Sequence, residues 1–182
     1  MTSTRRLWLA LAITSTLWLA ACATMTVHSF ADVHLGTTRY HTYGWADDDS
    51  RQTGDPRLDN NPFFETTIRA GAERELAAQG FEQVTSGAAD LSLHYHASIT
   101  QKLDAAAADQ KYGYCDGCRS PTLYDAGTIL LDFVDTRTNT LVWRGWAEIN
   151  MDRMVEDQRW LEQRIDEAVT RIVATIPKRL SL

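Results

Sequence analysis

Three strand-period segments follow one another in the C-terminal half of this chain with no helical pattern between them. That succession limits the fold more than any other feature. Residues Leu91 to Gln101 alternate. Leu91, Leu93, Tyr95, Ala97 and Ile99 fall on one face, and Ser92, His94, His96, Ser98 and Thr100 on the other. This is the pattern of a strand with one buried and one solvated side. Thr128 to Asp135 and Thr140 to Met151 read as two more strands, joined through Asp135-Thr136-Arg137-Thr138-Asn139. Asp and Asn at such a junction are hairpin-turn residues, because they bond their own backbone and tolerate unusual backbone angles. Upstream, Thr26 to Phe30 and the aromatic-rich Arg39 to Trp45 read as strands, and residues 81–85 as a short one.

Two segments carry helical period. Phe64, Ile68, Ala72 and Leu76 recur every four residues, with Asn61-Pro62 as cap and first helical residue and Gly80 at the C-terminal cap position. This predicts a helix over 62–79. Leu161, Ile165, Ala168, Val169, Ile172, Val173 and Ile176 define the second, which Pro177 stops. The polar stretch from Ala46 to Asn61 reads as loop, and Asp104 to Tyr124 as irregular. The order β-β-α-(β)-β-β-β-α predicts an α+β fold: an antiparallel β-sheet with two α-helices packed on one face. At 182 residues, 44% hydrophobic and 23% charged, the chain is long enough for one self-sufficient core. No internal repeat or second domain is evident, so 26–182 is expected to be a single domain.

The N-terminus reads as an address. Arg5 and Arg6 precede an apolar stretch, Leu7 to Ala20, that ends in Leu19-Ala20-Ala21-Cys22. The stretch is shorter than the roughly 20 residues a membrane span needs. Small residues before a cysteine fit a lipoprotein signal peptide, 1–21, whose cleavage leaves Cys22 acylated at the head of a short tether, 22–25. An ordinary signal peptide with an incidental cysteine is the alternative. Acyl chains such as palmitate contribute about 0.8 kcal/mol per buried methylene, so several chains anchor a domain to a membrane stably. Ala23 after the cysteine is not aspartate, which by bacterial sorting rules favours the outer membrane, with the domain facing the periplasm. Thr4-Arg5-Arg6-Leu7-Trp8-Leu9 also resembles a twin-arginine export signal, so the route, general secretion or twin-arginine, stays open. The removed segment holds two arginines and no acids, so a chain that starts with a net charge of −6 becomes more acidic on maturation. No basic patch stands out, and nucleic acid is not an expected partner.

The segment Gly127-Thr128-Ile129-Leu130-Leu131-Asp132-Phe133-Val134-Asp135-Thr136-Arg137-Thr138-Asn139-Thr140-Leu141-Val142-Trp143-Arg144-Gly145-Trp146-Ala147 is distinctive. Together with the Cys22 motif and Tyr40-His41-Thr42-Tyr43-Gly44-Trp45 it resembles the bacterial lipoprotein family called "domain of unknown function 4136". The resemblance covers nearly all of the mature chain and is most specific in the hairpin. It implies an envelope lipoprotein with an α+β domain, and it implies no catalytic residues. The cysteine-bearing loop at 112–120 departs from the family pattern.

Candidate chemistry is sparse. Cys115-Asp116-Gly117-Cys118 fits three readings: a small structural disulfide in an oxidising compartment, half of a zinc shell, or a redox pair. His94 and His96, two apart on one strand face, are the residues that would complete a zinc site; otherwise they are simply polar residues on a wet face. Assuming strict alternation, Leu130, Asp132, Val142, Arg144, Trp146 and Glu148 project away from the helices. Arg144 is then expected to pair with Asp132 or Glu148 across strands. This amphipathic face is either a surface for an envelope protein or small ligand, or is covered by one of the long loops. The acids Asp47, Asp48, Asp49, Asp55 and Asp59 lack the glycine and terminal glutamate of an EF-hand calcium loop. No nucleophile elbow, Ser-His-Asp order or phosphate loop appears. The expectation is a lipid-anchored binding or scaffold module. The alternative is a metal-binding or thiol-redox envelope protein using Cys115 and Cys118.

Overall fold

The structure, a computed structural model, describes residues 25–32, 40–46, 56–59, 62–103, 123–151 and 158–178. Its elements in chain order are β1 (Met25–Ala31), β2 (Thr42–Trp45), a single turn α1 (Pro56–Asp59), α2 (Pro62–Ala78), β3 (Glu82–Gln83), β4 (Leu91–Leu103), β5 (Leu123–Asp135), β6 (Thr140–Asn150) and α3 (Gln158–Val173). A 3₁₀ turn at Ser86–Ala88 precedes β4. The strands form one six-stranded sheet in the order β1-β6-β5-β4-β2-β3. The chain is thus a mixed α+β domain with a mostly antiparallel sheet.

The sheet is not antiparallel throughout. β4, β5 and β6 form an antiparallel meander and β1 adds to the free side of β6, also antiparallel. β2 pairs in parallel with both β3 and β4. The cause is the intervening helix: α2 carries the chain from the end of β2 back to its start, and a crossover connection of that kind delivers parallel strands. The pairing of β1 with β6, across more than a hundred residues of sequence, closes the sheet on its other side.

α2 ends as its sequence predicts. Gly80 takes φ 89°, and the Phe81 N–H donates to the Leu76 carbonyl at 3.0 Å while the Gly80 N–H donates to Ala77. These are the closing bonds of a glycine-capped helix end. α3 stops at Val173, three residues before the apolar pattern does. The chain tightens there, with Ile176 N–H donating to Val173 O at 3.0 Å, and Ile176 remains buried. The stretch expected to be loop before α2 contributes α1, whose Leu58 enters the core. β5 begins at Leu123, five residues earlier than the alternation suggests. Met25, which the sequence assigns to the tether, is the first residue of β1 and is buried.

The core gathers Ile68, Ala72 and Leu76 from α2, Leu161, Ile165, Val169 and Ile172 from α3, and Leu91, Leu93, Leu131, Phe133, Trp143 and Ala147 from the sheet. Phe133 sits at its aromatic centre, with ring centroids 5.4 Å from Phe81, 5.5 Å from Trp143 and 6.4 Å from Tyr43. Close approach of α3 to β6 depends on Gly145. A Cβ there would lie 2.7 Å from Ile172 Cγ2 and 2.5 Å from Trp143 Cζ2. The two long helices touch directly where Gly71 faces Val169, and Gln79 Nε2 donates to the Val173 carbonyl at 2.8 Å.

Candidate functional site

The side of the sheet opposite this core is built row by row from the strand register. Phe30, Arg144, Asp132 and His94 are neighbours across β1, β6, β5 and β4. The next row is His28, Trp146, Leu130 and His96, and the one after it Thr26, Glu148, Thr128 and Ser98. Leu130, Arg144, Trp146 and Glu148 are partly exposed and His96 is exposed, as strict alternation predicts. Val142 is the exception: it is fully buried in the core. β6 carries one extra residue against β5 between the pairs Phe133–Trp143 and Val134–Leu141. Such a bulge resets the in-out alternation, so Val142 and Trp143 both turn inward and Val142 leaves the outer face.

Electrostatics on this face are settled by cross-strand pairs. Arg144 grips Asp132 with both arms: Nε donates to Oδ1 at 2.7 Å and Nη2 to Oδ2 at 2.6 Å. Asp132 is 5% exposed, although it lies on the outer face. The guanidinium substitutes for the water the carboxylate has lost, and a two-point match of this kind is the strongest ordinary ion pair. Its own pKa is raised further, first by the hydrogen bond to Asp132. Glu148, the other acid considered for Arg144, is instead bonded to Lys102 on the outer side of β4. Beside the ion pairs lies an aromatic strip. His28 stacks on Trp146 with centroids 5.2 Å apart and planes 25° apart, and Phe30 is 52% exposed. Neither β1 residue stands out in the sequence as a site residue. The signal for them is the shared parity of Thr26, His28 and Phe30, which only becomes useful once β1 is known to pair with β6.

A second polar cluster lies at the far end of the sheet, around the β5–β6 turn. Asp135 accepts from the Arg137 and Thr138 N–H groups at 2.8 and 3.2 Å and from the Tyr40 hydroxyl at 3.0 Å. Burial alone would raise the Asp135 pKa, but these donors hold it below the usual carboxylate range. Asp90 is likewise lowered, first by the His41 N–H and then by the Thr42 N–H. Burial pushes Tyr40 up to about 12, with the Asp135 bond adding to it, and burial does the same for Tyr43. Asn139 adopts φ 55° in the turn. This cluster locks the hairpin and β2 in place; its acids are occupied by the backbone.

Cys22, Cys115 and Cys118 lie outside the described residues. His94 and His96 share the outer face, opposite Asp132 and Leu130 respectively. Among the described residues no group of three or more His, Cys, Asp or Glu side chains is placed to hold a metal ion. Nor, among those residues, is any helix long and apolar enough to cross a membrane.

With this geometry in hand, comparison with known proteins identifies the family. The family model described as domain of unknown function (DUF4136) matches residues 27–178. The chain belongs to the DUF4136 family. Among solved structures, a DUF4136 family protein from Bacteroides thetaiotaomicron is 13% identical, with TM-score 0.50, over 86% of this chain and 97% of that one. A PelC dodecamer from Paraburkholderia phytofirmans is 10% identical, with TM-score 0.49, over 87% of this chain and 99% of that one. A PDZ domain protein from Parabacteroides distasonis is 14% identical, with TM-score 0.47, over 82% of this chain but only 35% of that one. At 13% identity the likeness to the Bacteroides protein bears on the fold alone. No curated protein sequence matches the chain.

Proposed function

We propose that this DUF4136 domain is a lipid-anchored binding module of the bacterial envelope, held at the outer membrane through acylated Cys22 and facing the periplasm. Its contact surface is the outer sheet face. The observation that carries this reading is the strip of Phe30, His28, Trp146 and Leu130 lying on the side of the sheet away from the core. Exposed aromatic and aliphatic area beside a fixed ion pair is the composition of a protein contact surface. The sequence Leu19-Ala20-Ala21-Cys22 supplies the anchor, and the family match is consistent with it. The reading includes both long helices covering one face of the sheet, supported by Ile172 lying on Gly145 and by the Gln79 bond from α2 to α3.

Two measurements test it. Mass spectrometry of the protein extracted from its own membrane is expected to show an acyl increment on Cys22. An unmodified Cys22 would refute the anchor, and a zinc-sized increment lost in Cys115→Ser would put metal binding in its place. A photo-crosslinking amino acid at Phe30, in intact cells, is expected to give a discrete adduct that Trp146→Ser weakens. The same group at the exposed turn residue Thr138 is expected to give none. Equal labelling from both positions would sink the outer face as the contact surface.

A further inference from the structure

We infer that the Leu103–Leu123 end of the β4–β5 pair is the end of the domain that faces the lipid bilayer, so that the strands stand upright on the membrane. The inference rests on acylation of Cys22 and adds the orientation that acylation imposes. Only Ala23 and Thr24 separate Cys22 from Met25, which is buried at the start of β1. Three residue steps of even fully extended chain span about 11 Å, so Met25 is held within that distance of the acylated residue.

Met25 is level with Ile149, Gly127 and Ile99 in the register. β4 continues four residues past that level, to Leu103, which pairs with Leu123. At roughly 3.3 Å per residue the β4–β5 pair projects about 13 Å beyond Met25. The projection is at least as long as the tether. A domain tied this closely at β1 brings the β4–β5 end down to the surface that holds its acyl chains.

The side chains at this end suit a lipid surface. Leu123 is 57% exposed, the more exposed of the two large apolar side chains that lie open to solvent among the described residues. Among the described residues, the charges near it include two pairs, Lys102 with Glu148 and Arg57 with Asp125, so contact through Leu123 itself draws on apolar area. In this pose the Arg144–Asp132 row stands nine strand residues above Leu123, about 30 Å from the bilayer, where a periplasmic partner reaches it.

The test uses the acylated protein in phosphatidylcholine vesicles carrying a headgroup-labelled acceptor lipid. Cys115→Ser and Cys118→Ser remove the competing thiols, and a donor dye is placed at Leu123→Cys or at Thr138→Cys. Transfer is expected to be several-fold more efficient from position 123. A second pair, Lys102→Cys and Arg137→Cys, repeats the comparison if the first disturbs folding. Equal transfer from the two ends, in protein that still floats with the vesicles, overturns the orientation while leaving the anchor intact. Protein without an acyl increment that does not float overturns the anchor reading, and this inference with it.

Discussion

Replacing Arg144 with leucine tests the central electrostatic feature of the outer face. Asp132 is almost fully buried and has its two oxygens engaged by the Arg144 fork at 2.7 and 2.6 Å. Removing one member of a fully buried pair costs about 3–5 kcal/mol, because the remaining charge is left without a partner. The Arg144 side chain is 42% exposed, so water reaches one side of this pair. The expected loss for Arg144→Leu is accordingly smaller, about 2 kcal/mol at neutral pH after allowing for that screening. In a domain of this size it corresponds to a fall in melting temperature of roughly 4–8 °C. Urea unfolding of the two proteins at pH 7.5 reads the loss. The double variant Asp132→Leu/Arg144→Leu is expected to recover part of the loss, because no buried charge remains. A negligible deficit, or a double variant no more stable than Arg144→Leu, refutes the account of Asp132 as a desolvated carboxylate dependent on Arg144.

Other outcomes follow from packing and from the far-end cluster. Gly145→Ala places a methyl 2.5 Å from Trp143 and 2.7 Å from Ile172, so urea unfolding is expected to show a loss of about 1–3 kcal/mol or more from overpacking. Asp90 and Asp135 have lowered folded pKa values. Their contribution is present above the unfolded carboxylate pKa of about 3.9 and is lost as pH falls through the folded values. Asp135→Asn is therefore expected to flatten the acid arm of a melting-temperature profile. Tyr40 and Tyr43 are raised to about 12. Their contribution is whole below the unfolded value of about 10 and is lost as pH climbs from there to 12. Tyr40→Phe is expected to reduce that alkaline loss while giving up its bond to Asp135 at neutral pH.

What the sequence disclosed depended on whether the physics was local. The alternation of β4 is visible because one face meets the core and the other water, and Leu91, Leu93 and their period-mates are inward as read. Gly80 is visible as a cap because few residues other than glycine accept its positive φ. The β5–β6 turn is visible because Asp135 bonds the backbone two and three residues on. Partner choice was not visible. Nothing in Thr26–Ala31 says that it lies against Trp143–Glu148, so His28 and Phe30 were missing from the expected face. Nor does Thr42–Trp45 itself state that its neighbours run parallel; that follows from the α2 crossover. Val142 was misplaced because a bulge adds a single residue and inverts parity, with no composition signal at Leu141-Val142-Trp143. The burial of Asp132 is likewise a tertiary result, created by a guanidinium from the neighbouring strand.

The same pairings constrain how the outer face can bind. Asp132 is held by Arg144 and Glu148 by Lys102. A partner that bonded to these acids would first have to displace an internal donor already in place. Displacement returns little, because one charged contact is exchanged for another. Phe30, Leu130 and the His28–Trp146 stack carry no such competing claim, and burying apolar surface contributes about 25 cal/mol per Å². Binding to this face is therefore expected to rest on apolar and aromatic area. Raising ionic strength shortens the screening length from about 10 Å at 0.1 M to about 3 Å at 1 M. An interface led by charge weakens over that range, whereas one led by Trp146 and Phe30 holds or tightens. Once the crosslinked partner is in hand, its affinity measured across that salt range decides the matter. A steep loss of affinity with salt, unaffected by Trp146→Ser, would show that Arg144 and its neighbours are contacted directly and that the pairs are weaker locks than their geometry implies.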